Sequence, residues 1–275
     1  MKTLACLRSE IRQIFFCRLF FVSCLIVALL ELTAGFHMIN MEDQISVLET
    51  VRVVPRALME NDIRLSAESA FFAGIGSWLT LFAPIIVSLP FCALYRDEIS
   101  TGYKRFRIVA MGKMRYCIVK IISNFLMGAL TLTIGTLIYG MMVSILFPHA
   151  GSYSQAQIHQ LIQDIGGHTI IYWIMRQLLV LFFYGGFWGS VVMGFCGFIH
   201  NKYLIVGIPF MLKYIWREIT FKQGVDGRIG PDSLLQLCHR YENAPRISVE
   251  VYLAVWGICI ILFCIAMNRR EDLGV

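Results

Sequence analysis

The sequence predicts an all-α integral membrane protein with six transmembrane helices, an interfacial helix at the N-terminus and both termini in the cytoplasm. Three observations carry this. Of the 275 residues, 57% are hydrophobic and only 15% are charged, against about a quarter charged in an ordinary soluble domain. The mean hydropathy of +0.68 comes from apolar runs spread from end to end, which leave no stretch for a separate soluble domain. Lysine and arginine gather on alternate connections between those runs.

The elements follow in order. Residues 1–18 form an amphipathic segment, with Leu4, Leu7, Ile11, Ile14 and Phe15 at helical spacing and Lys2, Arg8, Ser9, Arg12 and Gln13 largely on the other side. So many polar residues suit a helix in the headgroup plane better than one in hydrocarbon. Arg8, Arg12 and Arg18 extend the basic region, and no small-residue cleavage pattern follows Leu30, so the first apolar run reads as retained. The expected spans are 19–38, 71–95, 117–147, 169–199, 203–219 and 248–267. Pro84 and Pro90 fall in the second, where each removes a backbone donor. Gly185, Gly186, Gly189, Gly194 and Gly197 fall in the fourth and permit close helix contact. The fifth is interrupted by Lys213, Arg217 and Glu218.

Orientation follows from the basic residues. Arg96, Lys104, Arg105, Arg107, Lys113, Arg115 and Lys120 surround the second connection, and the N-terminal segment, Lys202, Arg269 and Arg270 lie on the same side of a six-span chain. The opposite connection from Pro148 to His168 has no lysine or arginine, and that from Ile39 to Ala70 is net acidic. The connection from Thr220 to Ile247 is mixed, and Pro231-Asp232-Ser233 followed by Leu234, Leu235, Leu237 and Cys238 reads as a short helix at the outer leaflet.

Several function classes fall away. The net charge of +6 sits in short runs beside apolar segments, which is a topology and anionic-lipid pattern and not a nucleic-acid surface. The nine cysteines are mostly intramembrane and read as small apolar packing residues. His149, His159 and His168 are too far apart for a compact metal motif, and no cofactor is implied. No GxxxxGK[ST], HExxH or GxSxG occurs.

The segment from Tyr95 to Lys120, YRDEISTGYKRFRIVAMGKMRYCIVK, is the most informative. A basic loop that only fixes topology accounts for its cations. It does not account for an acidic pair, a glycine and a second amphipathic stretch, which Ser100 or Thr101 would cap. With its Glu98 and Gly102, with Lys120 opening the third span, and with the run Gly189-Ser190 through Asn201-Lys202-Tyr203 to Ile208-Pro209-Phe210, the chain resembles the membrane-spanning permease subunits of type-2 ABC exporters. The resemblance covers the whole layout. It implies an elbow helix over 1–18, a cytoplasmic coupling segment over 96–116, and no bond-making chemistry in this chain. It further implies two copies of a separate ATPase subunit, a second permease chain as homo- or heterodimer, and a multi-pass place in a bacterial plasma membrane. Glu98, Gly102, Arg105, Phe106, Arg107 and Ile108 would meet the ATPase. Export of a peptide, antibiotic or other amphipathic compound is the implied activity.

A secondary transporter or channel is the alternative, carried by the intramembrane charges Glu31 and Arg176; a membrane scaffold or sensor subunit is another. The topology has its own test. An impermeant thiol reagent applied to intact cells labels cysteines placed near Ser154 and Gly227 but leaves Lys104→Cys unlabelled. Outside labelling of Lys104→Cys would end the six-span arrangement.

Overall fold

In the computed structural model the described residues are 2–39, 43–76, 78–154, 158, 169–199, 201–224, 230–232, 235 and 245–272. They form α1 (Lys2–Phe16), α2 (Arg18–Leu32), strands β1 (Gly35–Ile39) and β2 (Asp43–Ser46), α3 (Val47–Val53), α4 (Arg56–Met59), α5 (Ala67–Gly74), α6 (Trp78–Ser100), α7 (Tyr103–Met111), α8 (Lys113–Leu146), α9 (Ile170–Cys196), α10 (Lys202–Lys222) and α11 (Pro245–Asp272). Helix α8 is the hub and touches α1, α2, α5, α6, α7 and α9. α11 packs on α9, and α10 lies along α6.

Among the described residues four helices, α6, α8, α9 and α11, are long and apolar enough to cross a membrane. The pair α1–α2, bent by 57° at Cys17, makes a fifth if it is one span. Their outer surfaces show why the chain belongs in lipid. Exposed apolar residues run in helical stripes, Phe21, Leu25 and Leu29 on α2, Leu137, Met141 and Ile145 on α8, and Ile171, Met175, Leu179 and Phe183 on α9. Continuous stripes of this kind are untenable in water and ordinary in a bilayer.

The boundaries differ from the sequence reading in places. The expected span 19–38 ends at Leu32, and the chain turns into β1, paired antiparallel with β2. At 15 residues α2 is about 22 Å long, short of a ~30 Å hydrocarbon core. The span 71–95 is two helices, α5 and α6, and α6 runs on to Ser100 with Pro84 and Pro90 inside one continuous helix. α8 begins four residues before the expected 117, at Lys113. The fifth segment is a helix, but its charged residues keep it outside the set apolar enough to span. Of the outer segment after Thr220, residues 225–229, 233, 234 and 236–244, including Cys238, lie outside the described residues, as do His159 and His168.

Capping fixes the region between α2 and α6. The Ser46 hydroxyl accepts from the Glu49 amide at 3.2 Å, and the Ser46 amide donates to the Glu49 carboxylate at 2.9 Å, a reciprocal box. These bonds hold the Glu49 carboxyl below its usual range. The Tyr153 hydroxyl donates to the Met59 carbonyl at 2.6 Å; burial and the acids Asp62, Glu68 and Glu60 push it up to about 12.

Two glycine seams set the helix spacing. A Cβ on Gly128 would lie 2.4 Å from the Gly185 carbonyl oxygen, and one on Gly185 equally close to the Gly128 oxygen. The backbones of α8 and α9 therefore touch, and Asn124 donates to the Gly189 carbonyl at 2.6 Å across the same seam. Two turns further along the same face of α8, a Cβ on Gly135 would strike Val27 of α2 at 2.5 Å. In lipid such close approach is a main source of helix association. Gly128→Ala is thus expected to destabilise the detergent-solubilised protein by about 1–3 kcal/mol. Gly257→Ala, where a Cβ meets nothing within 4 Å, is expected to be neutral or stabilising by up to about 1 kcal/mol. Thermal unfolding of the two variants checks the contrast.

Candidate functional site

The second connection places a short helix, α7, between two long ones, and its ends explain its boundaries. Ser100 and Thr101 do not cap it, contrary to the sequence reading: both hydroxyls turn back to the Asp97 carbonyl, at 3.0 and 2.7 Å, and so close α6. The residue preceding α7 is Gly102 at φ +70°, and the one following is Gly112 at φ +84°. Both conformations are strained for any residue with a Cβ. Gly102 therefore has a local reason to be glycine, and open space surrounds it within this chain.

Helical periodicity then divides α7 into two faces. Arg107 and Met111 turn inward, and Ile108 is half-buried against the inner core. Arg105 and Phe106 turn outward with Val109 and Ala110. Phe106 is 75% exposed and Val109 87%, and Met114 at the start of α8 is 72% exposed. Apart from Tyr103, which stacks under the Arg107 guanidinium at 4.7 Å, the outward apolar residues have no cover among the described residues.

Beneath the inward face lies a buried charge cluster drawn from four helices: Glu10 of α1, Glu98 of α6, Arg107 of α7 and Lys120 of α8. Lys120 Nζ stands 2.5 Å from Glu98 Oε1 and 3.0 Å from Glu10 Oε2. Arg107 pairs with Glu10 and lies 3.6 Å from Glu98 Oε1. The Tyr116 hydroxyl donates to the second Glu98 oxygen at 3.2 Å. Two acids and two bases balance, so the cluster needs no external counter-ion. Burial pulls the Arg107 guanidinium down from its ordinary value.

Of the six residues expected to meet a partner, Arg105 and Phe106 are on the surface, Ile108 is half-buried, and Gly102 shapes the turn. Glu98 and Arg107 face the interior, so whatever they contribute passes through the position of α7. The sequence reading missed Glu10, Tyr116 and the full role of Lys120. Glu10 was the one findable: it is the single acid in an otherwise basic N-terminal segment, and it sits on the buried side beside Ile14. The two intramembrane charges are apart. Glu31 is fully buried in α2 and accepts from Thr136 of α8 at 2.6 Å. Arg176 lies over the Trp173 ring at 4.8 Å.

A second polar cluster lies toward the other end of α6. Lys213 of α10 pairs with Asp232 at 2.7 Å and donates to the Thr80 carbonyl, and the Tyr184 hydroxyl donates to Asp232 at 3.0 Å. No group of metal-ligating side chains large enough to hold an ion occurs among the described residues. No protein-family model, curated protein or solved structure matches this chain.

Removing one partner of a buried ion cluster leaves uncompensated charge and typically costs about 3–5 kcal/mol. Lys120→Met is accordingly expected to lower stability by that amount, since Glu10 and Glu98 then share only Arg107. Adding Glu98→Gln to Lys120→Met restores neutrality and recovers part of the loss. A double-mutant cycle on thermal unfolding measures the coupling; additive losses would show that the two side chains do not act together.

Proposed function

We propose that this chain is the membrane-spanning permease subunit of an ATP-driven transporter, with α7 as the element that a separate ATPase grips. One observation carries the reading: a short helix between two long apolar ones is fixed from below by buried charges and bounded by two glycines, and it offers an uncovered apolar face. A helix presented in this way suits insertion into a partner's groove, with Phe106, Val109 and Met114 as apolar anchors and Arg105 at the rim. The buried cluster ties α7 to α1, α6 and α8, so a push on α7 reaches three other helices without a hinge in between.

In this reading the chain has six spans, with α1–α2 and α10 among them, and both termini in the cytoplasm. It pairs with a second permease, as homo- or heterodimer, and with two ATPase subunits in the plasma membrane of a bacterial cell. This chain makes and breaks no bonds. Its two conformational states differ in their contacts with nucleotide-bound ATPase, and that difference is what shifts the equilibrium. The exported compound is a peptide, antibiotic or other amphiphile. Glu31 and Arg176 carry the competing reading of a secondary transporter or channel, in which no ATPase would be present.

The test is purification from native membranes. The wild-type chain is expected to bring down a nucleotide-hydrolysing subunit at one copy per permease chain. Phe106→Asp is expected to insert and accumulate normally while losing that subunit and all ATP-dependent transport. If Phe106→Asp retains both, α7 is not the docking element; if the wild-type chain transports when purified alone, the secondary-transporter reading replaces this one.

A further inference from the structure

A cavity of about 210 Å³ opens between the first turns of α6 and the second half of α10, lined by Trp78, Thr80, Leu81, Phe210, Lys213, Tyr214, Arg217 and Asp232. Among the described lining residues the charges do not balance. Asp232 is taken up by Lys213 at 2.7 Å and by the Tyr184 hydroxyl at 3.0 Å. Arg217, one turn beyond Lys213 on α10, is exposed and has no ion-pair partner among the described residues. One positive charge is therefore left over at a wall that is otherwise aromatic. Phe210 is held by stacking on Phe82 at 6.5 Å, and Phe82 in turn on Trp78 at 6.3 Å.

We propose that this cavity binds an amphiphile with a single anionic headgroup, a phosphate or carboxylate. The volume decides between a headgroup and a larger ligand: pockets for drug-sized molecules measure about 300–1,000 Å³, so this cavity of about 210 Å³ takes a headgroup and the first carbons of a chain. The planar fork of Arg217 is the natural partner of such a group. Lys213 adds a second positive centre, buried and already positioned by Asp232 and the Thr80 carbonyl. The rest of the chain leaves past Trp78 and Tyr214, which are 49% and 57% exposed, and aromatic residues of this kind favour the level of the membrane interface. A cationic headgroup would meet Arg217 and a net positive wall. The site stands independently of the ATPase reading, since it needs no second subunit.

The probe is dodecyl phosphate, added to the full chain in neutral maltoside detergent, with dodecanol and dodecyltrimethylammonium as controls and thermal unfolding as the readout. Dodecyl phosphate is expected to raise the midpoint saturably, and the two controls to leave it unchanged. Arg217→Gln is expected to require about tenfold more dodecyl phosphate for the same shift, and Arg217→Lys, which keeps the charge but loses the fork, to fall between the two. Leu81→Trp, which fills the cavity at unchanged charge, should abolish it. Equal shifts from all three amphiphiles, or an unchanged titration in Arg217→Gln, would overturn the proposal. Nanodiscs then separate the sources. Competition by phosphatidylglycerol in the bilayer identifies a membrane lipid as the occupant, and full dodecyl phosphate binding in its presence identifies a free amphiphile. No ATPase enters this experiment, so its failure leaves the preceding function standing.

Discussion

Charge buried in a low-dielectric interior must be neutralised where it sits, and in this chain that requirement ties one end of the bundle together. Glu10, Glu98, Arg107 and Lys120 come from four separate helices, and each is 7% exposed or less. Any one of them alone would be costly at that depth. Together they are satisfied only when α1, α6, α7 and α8 are all in register. The cluster thus selects an arrangement more than it adds stability. An apolar set of the same volume would hold the helices at least as firmly, but would not fix which residue of α7 faces inward.

The glycine seams play the complementary part in the membrane-embedded half. Helices in lipid gain little from apolar burial as such, because the solvent is also apolar. What α8 gains against α9 at Gly128 and Gly185, and against α2 at Gly135, is close backbone contact and the Asn124 bond to Gly189. Gly128 and Gly135 lie two turns apart on one face of α8, so a single small-residue stripe meets α9 at one level and α2 at the next. The polar cluster then needs only to orient α7 and α1 against the frame that α8 forms with α9 and α2.

Much of this frame was legible in the sequence, because membrane helices announce themselves locally. The long apolar runs, the glycine-rich fourth segment and the amphipathic first one all correspond to helices near the expected bounds. Where the reading slipped, the deciding physics was local but competing. Residues 33–38 are apolar enough for a span, yet the backbone leaves the helix at Thr33 and pairs as a strand. Ser100 and Thr101 had the chemistry of caps, but their hydroxyls reach back to Asp97, and glycine geometry starts the next helix instead. The site was less legible. Lys120 and Glu10 are separated by 110 residues, and no pattern within either segment specifies the other. The outward face of α7 was only half readable: Phe106 and Arg105 fell on it, while Arg107, two residues on, was claimed by the interior.

The two polar clusters are joined by one element, and that sets what motion the fold permits. Helix α6 contributes Glu98 at one end to the charge cluster and, through the Thr80 carbonyl and Trp78, one wall of the cavity at the other. Its 23 residues span about 34 Å. Pro84 and Pro90 lie between the two ends, and each removes an intrahelical hydrogen bond. A helix weakened at two points and anchored at both ends responds to displacement of one end by bending at the prolines. Displacing α7 moves Glu98 through Arg107 and Lys120, while the far end is held by Lys213 and Asp232. Strain introduced at the charge cluster therefore concentrates at Pro84 and Pro90, between that cluster and the cavity wall at the first turn of α6. Ligand at that wall and a partner on α7 would act on the same helix from opposite ends. That is the physical requirement for the two sites to influence one another.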